Sequence, residues 1–224
     1  SPYHLTGDLV IPQFQTMTVN DGVFLRVADG VTITVEGSFN SGYSTISSMG
    51  DGARWGGLVI GDNADTSAQI IGTSLVEGSP LITINDEATV TISHAYLARS
   101  SGAEPLLRTT NAVPVAFLSV MSTTFVDSAS HCAEIQGSVE FSLVDVEMNN
   151  CYSDALWTQG TYLMIDGLTV SDDVTLAGVE GSLSNLEGEG LVVSNLDGFM
   201  MSDLTLSSLS VSYTHLTLPT TLSV

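Results

Sequence analysis

The sequence predicts an all-β fold: a parallel β-helix, or solenoid, of about 22 residues per coil with three short strands in each coil. Two observations carry this. The stretch FSLVDVEMNN, residues 141–150, places its apolar residues Phe141, Leu143, Val146 and Met148 at steps of two, three and two. That is a strand, a two-residue bend at Val144 and Asp145, and a second strand. The same pattern then recurs along most of the chain. A repeat of this length cannot bury its apolar side alone. It closes if each coil runs once around an axis and pairs with the coils above and below, about 4.8 Å away, so that inward side chains stack in rows.

Taken in order, residues 5–39 set the entry coil. Val19, Val27 and Val35 lie eight apart, and the turns Asn20-Asp21-Gly22, Ala28-Asp29-Gly30 and Glu36-Gly37 follow them. Alternating residues between turns fit half-buried strands, and glycine supplies the positive φ such turns use. Residues 40–55 are rich in Gly, Ser and Asn and read as a loop that leaves the helical path. Trp55-Gly56-Gly57-Leu58-Val59-Ile60 restarts a strand, with Trp55 read as a packing anchor.

From residue 66 the two-three-two sets are Ala68, Ile70, Thr73, Leu75; Val90, Ile92, Ala95, Leu97; Leu118, Val120, Thr123, Phe125; Phe141, Leu143, Val146, Met148; Leu163, Ile165, Leu168, Val170; and Phe199, Met201, Leu204, Leu206. Successive offsets are 22, 28, 23, 22 and 36, and the last gap is assigned one shorter coil over residues 175–188. A third strand precedes most sets, as in Leu81–Ile84, Ala133–Ile135 and Leu191–Val193. The bend positions are Gly72, His94, Ser122, Asp145, Gly167 and Asp203, where Gly and Asp suit a left-handed backbone.

Composition bounds the function. The chain of 224 residues has 25 acids, four arginines and no lysine, a net charge of −21. This makes nucleic acid a poor partner, because phosphate contacts need a basic surface. It fits repulsion between copies and solubility, or divalent cations as counter-ions. No apolar run approaches the length of a membrane helix. Cys132 and Cys151 are too few for a disulfide scaffold; the sequence leaves both one disulfide and two thiols open.

The segment VSYTHLTLPTT, residues 211–221, resembles the translation of a transposase mosaic end running into a sequencing adapter. On that resemblance residues 1–210 are the solenoid domain, a piece of something longer. Residues 211–224 are then a non-native tail, and Tyr213 and His215 carry no functional weight.

The opening TMTVNDGVFLRVADGVTITVEGSF, followed by WGGLVI, resembles extracellular β-helix proteins of the surface-layer and adhesin type. The repeats resemble the right-handed parallel β-helix of the pectin-lyase-like superfamily, over roughly residues 5–209. The resemblance implies a secreted or cell-surface location and polysaccharide or other cell-surface components as partners. It also implies where chemistry would sit, since lyases of this shape hold Ca²⁺ on aspartates beside a base and hydrolases use clustered aspartates.

The candidate Ca²⁺ ligands are Asp145, Asp166 and Asp203, which sit at or beside bends in different coils. The candidate sugar-stacking rings are Tyr96, Trp157 and Tyr162. Arg26, Arg54, Arg99 and Arg108 are the only arginines available to a lyase; Arg99 and Arg108 flank a loop and read as local ion pairs. No Gly-x-Ser-x-Gly elbow or phosphate loop is present, and no catalytic residue is assigned. The leading expectation is a non-enzymatic structural or adhesive module. The alternatives are a polysaccharide lyase or glycoside hydrolase, and a Ca²⁺-stabilised carbohydrate-binding module.

Overall fold

The inward apolar rows close into a parallel β-solenoid of about 9 turns and about 22 residues per turn. This architecture comes from a computed structural model, which describes residues 2–61, 65–85, 87–110, 112–196, 198–212 and 222–223. Every strand pair is parallel, and no helix occurs among the described residues.

Each coil contributes to three walls. The first wall stacks Tyr3–Leu5, Phe24–Val27, Thr45–Ser48, Ser74–Val76, Tyr96–Ala98 and Thr124–Ser128. The second stacks Leu9–Ile11, Thr32–Val35, Gly57–Ile60, Ile82–Ile84 and Leu107–Thr109. The third stacks Thr16–Val19, Ser38–Ser41, Ser67–Ile71 and Thr89–Ser93, then Ala112–Met121. Farther on, Ala133–Cys151, Glu180–Ser194 and Met200–Ser212 run around the corners and serve all three walls.

Within FSLVDVEMNN, Phe141 and Leu143 lie in the third wall opposite Leu118 and Val120. Met148 lies in the first wall opposite Phe125. Val19, Val27 and Val35 are buried one in each wall, so the eight-residue spacing is the three faces of one coil. All six expected bend residues have a left-handed backbone, with φ of 61° at Gly72, 52° at His94, 46° at Ser122, 52° at Asp145, 80° at Gly167 and 52° at Asp203.

One reading changes. Residues 40–55 are not all loop: Thr45–Ser48 is a strand of the first wall, pairing with Phe24–Val27 on one side and Ser74–Val76 on the other. Its inward side chains are Ile46 and Ser48, both fully buried, so one apolar residue carries a strand whose composition reads as loop. Val211 and Ser212 continue the last long strand, opposite Val193 and Ser194. Most of the tail, including Tyr213 and His215, lies outside the described residues.

Cys132 and Cys151 form a disulfide across 19 residues with Cα atoms 5.5 Å apart. Between them the chain passes through all three walls, so the bond closes one full coil. Confining a loop of this length in the unfolded chain corresponds to about 3 kcal/mol. Reduction, or the double change Cys132→Ser and Cys151→Ser, is therefore expected to lower the urea-unfolding free energy by about 3 kcal/mol. The far-UV circular dichroism of the folded state should stay unchanged.

Candidate functional site

The turn acids reach from coil to coil. Asp8 Oδ1 accepts from the Thr32 amide at 3.0 Å, Asp21 Oδ1 from the Tyr43 amide at 3.2 Å and Asp29 Oδ1 from the Arg54 amide at 2.8 Å. Asp172 Oδ2 accepts from the Cys151 amide at 2.9 Å, and Asp127 Oδ1 accepts from Asn150 Nδ2. Backbone donors at corners have no ladder partner to bond, and a carboxylate one coil away supplies the acceptor.

The three expected Ca²⁺ ligands lie along one edge but do not converge. The register runs Asp145, Gly167, Asn185, Asp203 on successive coils. Asp145 and Asp203 are thus three rungs apart, roughly 14 Å at strand spacing, whereas Ca²⁺ ligands sit near 2.4 Å from the ion. One ion cannot use both. Asp166 Oδ1 is engaged by Ser184 Oγ at 3.0 Å and Asn185 Nδ2 at 2.6 Å. Among the described residues, no three His, Cys, Asp or Glu side chains are grouped to hold a metal. The bend edge itself is an acidic trough. One depression of about 310 Å³ is lined by Asp145, Glu147 and Thr169. Another of about 390 Å³ is lined by Asn185, Glu187 and Asp203.

The expected aromatic set is divided among the walls. Tyr96 is exposed on the first wall, Trp157 half-buried on the second and Tyr162 exposed on the third. They form no common stacking platform. The Trp157 ring packs on His131, with centroids 6.1 Å apart and planes at 27°. His131 Nδ1 lies 3.8 Å from Asp154 Oδ2, too long for a hydrogen bond. The arginines serve locally, as expected for two of them. Arg99 pairs with Glu77 at 3.2 Å and Arg108 with Glu104 at 2.6 Å. Arg26 and Arg54 donate to the carbonyls of Ser48 and Ala53.

Tyr162 lines a recess. Glu140 and Glu180 are its register neighbours, one coil to each side. With Gly160, Thr161 and Gly178 they surround a volume of about 320 Å³. Sequence reading took Tyr162 and missed both glutamates. Glu140, Tyr162 and Glu180 each immediately precede the first residue of their coil's two-three-two set, but only the register shows that the three stand side by side.

Thr158 sits at the same corner. It is fully buried on the second wall between Ile135 and Leu176, and its hydroxyl has no hydrogen-bond partner among the described residues. An unpaired buried hydroxyl is unfavourable where an isosteric methyl is not. Thr158→Val is expected to raise stability by about 1 kcal/mol in urea unfolding.

No family model, curated protein or solved structure matches this chain.

Proposed function

We propose that the chain is a non-enzymatic structural segment of a large secreted or cell-surface protein, serving as a stiff stalk, adhesive or surface-layer module. The observation that carries this reading is the use made of the turn aspartates. Asp8, Asp21, Asp29, Asp127, Asp166 and Asp172 each accept a hydrogen bond from a neighbouring coil, at separations of 18 to 25 residues. Carboxylates spent on joining coils are acceptors for the scaffold rather than general acids or bases held in one groove. Two further features support it. A disulfide persists in oxidising compartments, and a lysine-free surface of net charge −21 resists association between copies.

Incubation with acidic and neutral polysaccharides, followed by assay for unsaturated products and new reducing ends, tests the enzymatic alternative. No release above a heat-unfolded control is expected. Release that a single Asp or Glu substitution abolishes would overturn the reading. Antibody labelling of intact source cells tests location, and signal only after permeabilisation would overturn it.

A further inference from the structure

The sequence contains five Asp-Gly pairs, beginning at Asp21, Asp29, Asp51, Asp166 and Asp197. Asp197 lies outside the described residues. In the other four the glycine has much the same left-handed backbone, with φ of 74° at Gly22, 69° at Gly30, 75° at Gly52 and 80° at Gly167. The four differ in how the fold holds them.

Two of the pairs are clamped at two points to a single residue of the next coil. Asp21 Oδ1 accepts from the Tyr43 amide at 3.2 Å, and the Gly22 amide donates to the Tyr43 carbonyl at 2.7 Å. Asp29 Oδ1 accepts from the Arg54 amide at 2.8 Å, and the Gly30 amide donates to the Arg54 carbonyl at 2.8 Å. At the third pair, Ser184 Oγ and Asn185 Nδ2 hold the Asp166 carboxylate, and Gly167 lies inside the strand Tyr162–Val170. Asp51-Gly52 has no such support. Both residues are exposed, in the corner between Thr45–Ser48 and Gly57–Ile60. A Cβ on Gly52 would meet nothing within 4 Å. Neither the Asp51 carboxylate nor the Gly52 amide has a hydrogen-bond partner among the described residues.

An Asp-Gly pair can react with itself. The glycine nitrogen attacks the carboxyl carbon of the aspartate, a C–N bond forms, and one water leaves to give a five-membered succinimide. Water then reopens the ring at either carbonyl. One opening restores aspartate; the other gives isoaspartate, in which the main chain runs through the side-chain methylene. Glycine permits the attack because no side chain shields its nitrogen. The carboxyl must also turn onto that nitrogen, so a pair whose carboxylate and amide are both bonded to the next coil has to open first. The free energy of that local opening limits the rate.

We infer that Asp51-Gly52 is a built-in site of isoaspartate formation, and that the coil-to-coil clamps keep Asp21 and Asp29 from the same reaction. The product lengthens the main chain at the corner that leads into Trp55.

The test ages the folded chain at neutral pH and physiological temperature. Samples taken over weeks are digested after arginine and glutamate, and electron-transfer fragmentation places the isoaspartate. Isoaspartate is expected to build up at Asp51 at least about tenfold faster than at Asp21, Asp29 or Asp166, since opening each of those breaks hydrogen bonds worth about 1 kcal/mol apiece. In concentrated urea the four positions should react within about threefold of one another, because opening then costs nothing and glycine follows each. Equal rates in the folded chain would overturn the inference, as would faster reaction at Asp21 or Asp29. A difference of the same size in urea would overturn it too, by assigning the preference to the flanking sequence rather than to the clamps.

Discussion

Trp55→Ala is expected to lower the unfolding free energy by about 3–5 kcal/mol. The side chain is completely buried and is among the largest in the core. Its Nε1–H donates to the Val76 carbonyl at 3.0 Å, so the polar edge of the ring is satisfied inside the solenoid. The backbone is tied to the next coil as well: the Trp55 amide donates to Glu77 O at 3.1 Å, and its carbonyl accepts from the Ser79 amide at 3.0 Å. Truncation would therefore open a large cavity and leave the Val76 carbonyl without its indole donor. Trp55→Phe keeps most of the volume and loses the hydrogen bond, so a smaller loss of about 1–2 kcal/mol is expected.

Solenoid coils touch only their neighbours, which makes the defect local. Hydrogen-exchange protection should fall first in Thr32–Val35, Gly57–Ile60 and Ile82–Ile84, the second-wall strands around the site. It should persist longer in Tyr162–Val170, several coils away. A loss under about 1 kcal/mol for Trp55→Ala in urea unfolding would identify the ring as a surface feature and contradict its burial.

The reason Trp55 could be read from sequence as an anchor, while Glu140 and Glu180 could not be read as a pair, is physical. Inward rows repeat the same chemistry, so Phe141, Leu163 and Phe199 advertise their position without any knowledge of the neighbouring coil. Outward rows are free to vary, and their meaning depends on which residues the register sets side by side. That register depends on coil length. Between successive bend residues the spacing falls from 28 residues (His94 to Ser122) to 18 (Asn185 to Asp203). The same dependence separated the expected Ca²⁺ ligands. Asp145 and Asp203 occupy equivalent bends, but two intervening coils carry Gly167 and Asn185 there.

The coil placed at residues 175–188 shows the other limit. Its two-three-two set is Gly181, Leu183, Leu186 and Gly188, and glycine at two of the four inward positions removes half of the apolar signal. Leu183 and Leu186 are buried as the pattern requires, and Asn185 takes the left-handed bend with φ 54°. The small coil was expected from the length of the gap alone. Why glycine is there follows from the neighbouring coil.

Gly181→Ala is expected to cost about 4 kcal/mol or more, or to prevent folding. Gly181 has φ +117°, a conformation that side-chain-bearing residues rarely adopt, and a Cβ built on it would lie 2.0 Å from the Leu163 carbonyl oxygen. That oxygen belongs to the backbone of the adjacent coil, which pairs with Gly181 in register, so it cannot swing away as a flexible side chain could. Gly178 gives the reference for a left-handed glycine with open space around it. It also has positive φ, +60°, but a Cβ there would meet only the Gly160 nitrogen, at 3.9 Å. Gly178→Ala therefore carries the left-handed penalty alone, about 1–2 kcal/mol. Urea unfolding of the two variants side by side decides the matter. A gap of about 2 kcal/mol or more between them measures what the close approach of two coils and the φ of +117° together add at Gly181 beyond an ordinary left-handed turn. Equal losses would show that neither adds a cost, and would remove the physical account of why this coil gives up an apolar residue from its inward row.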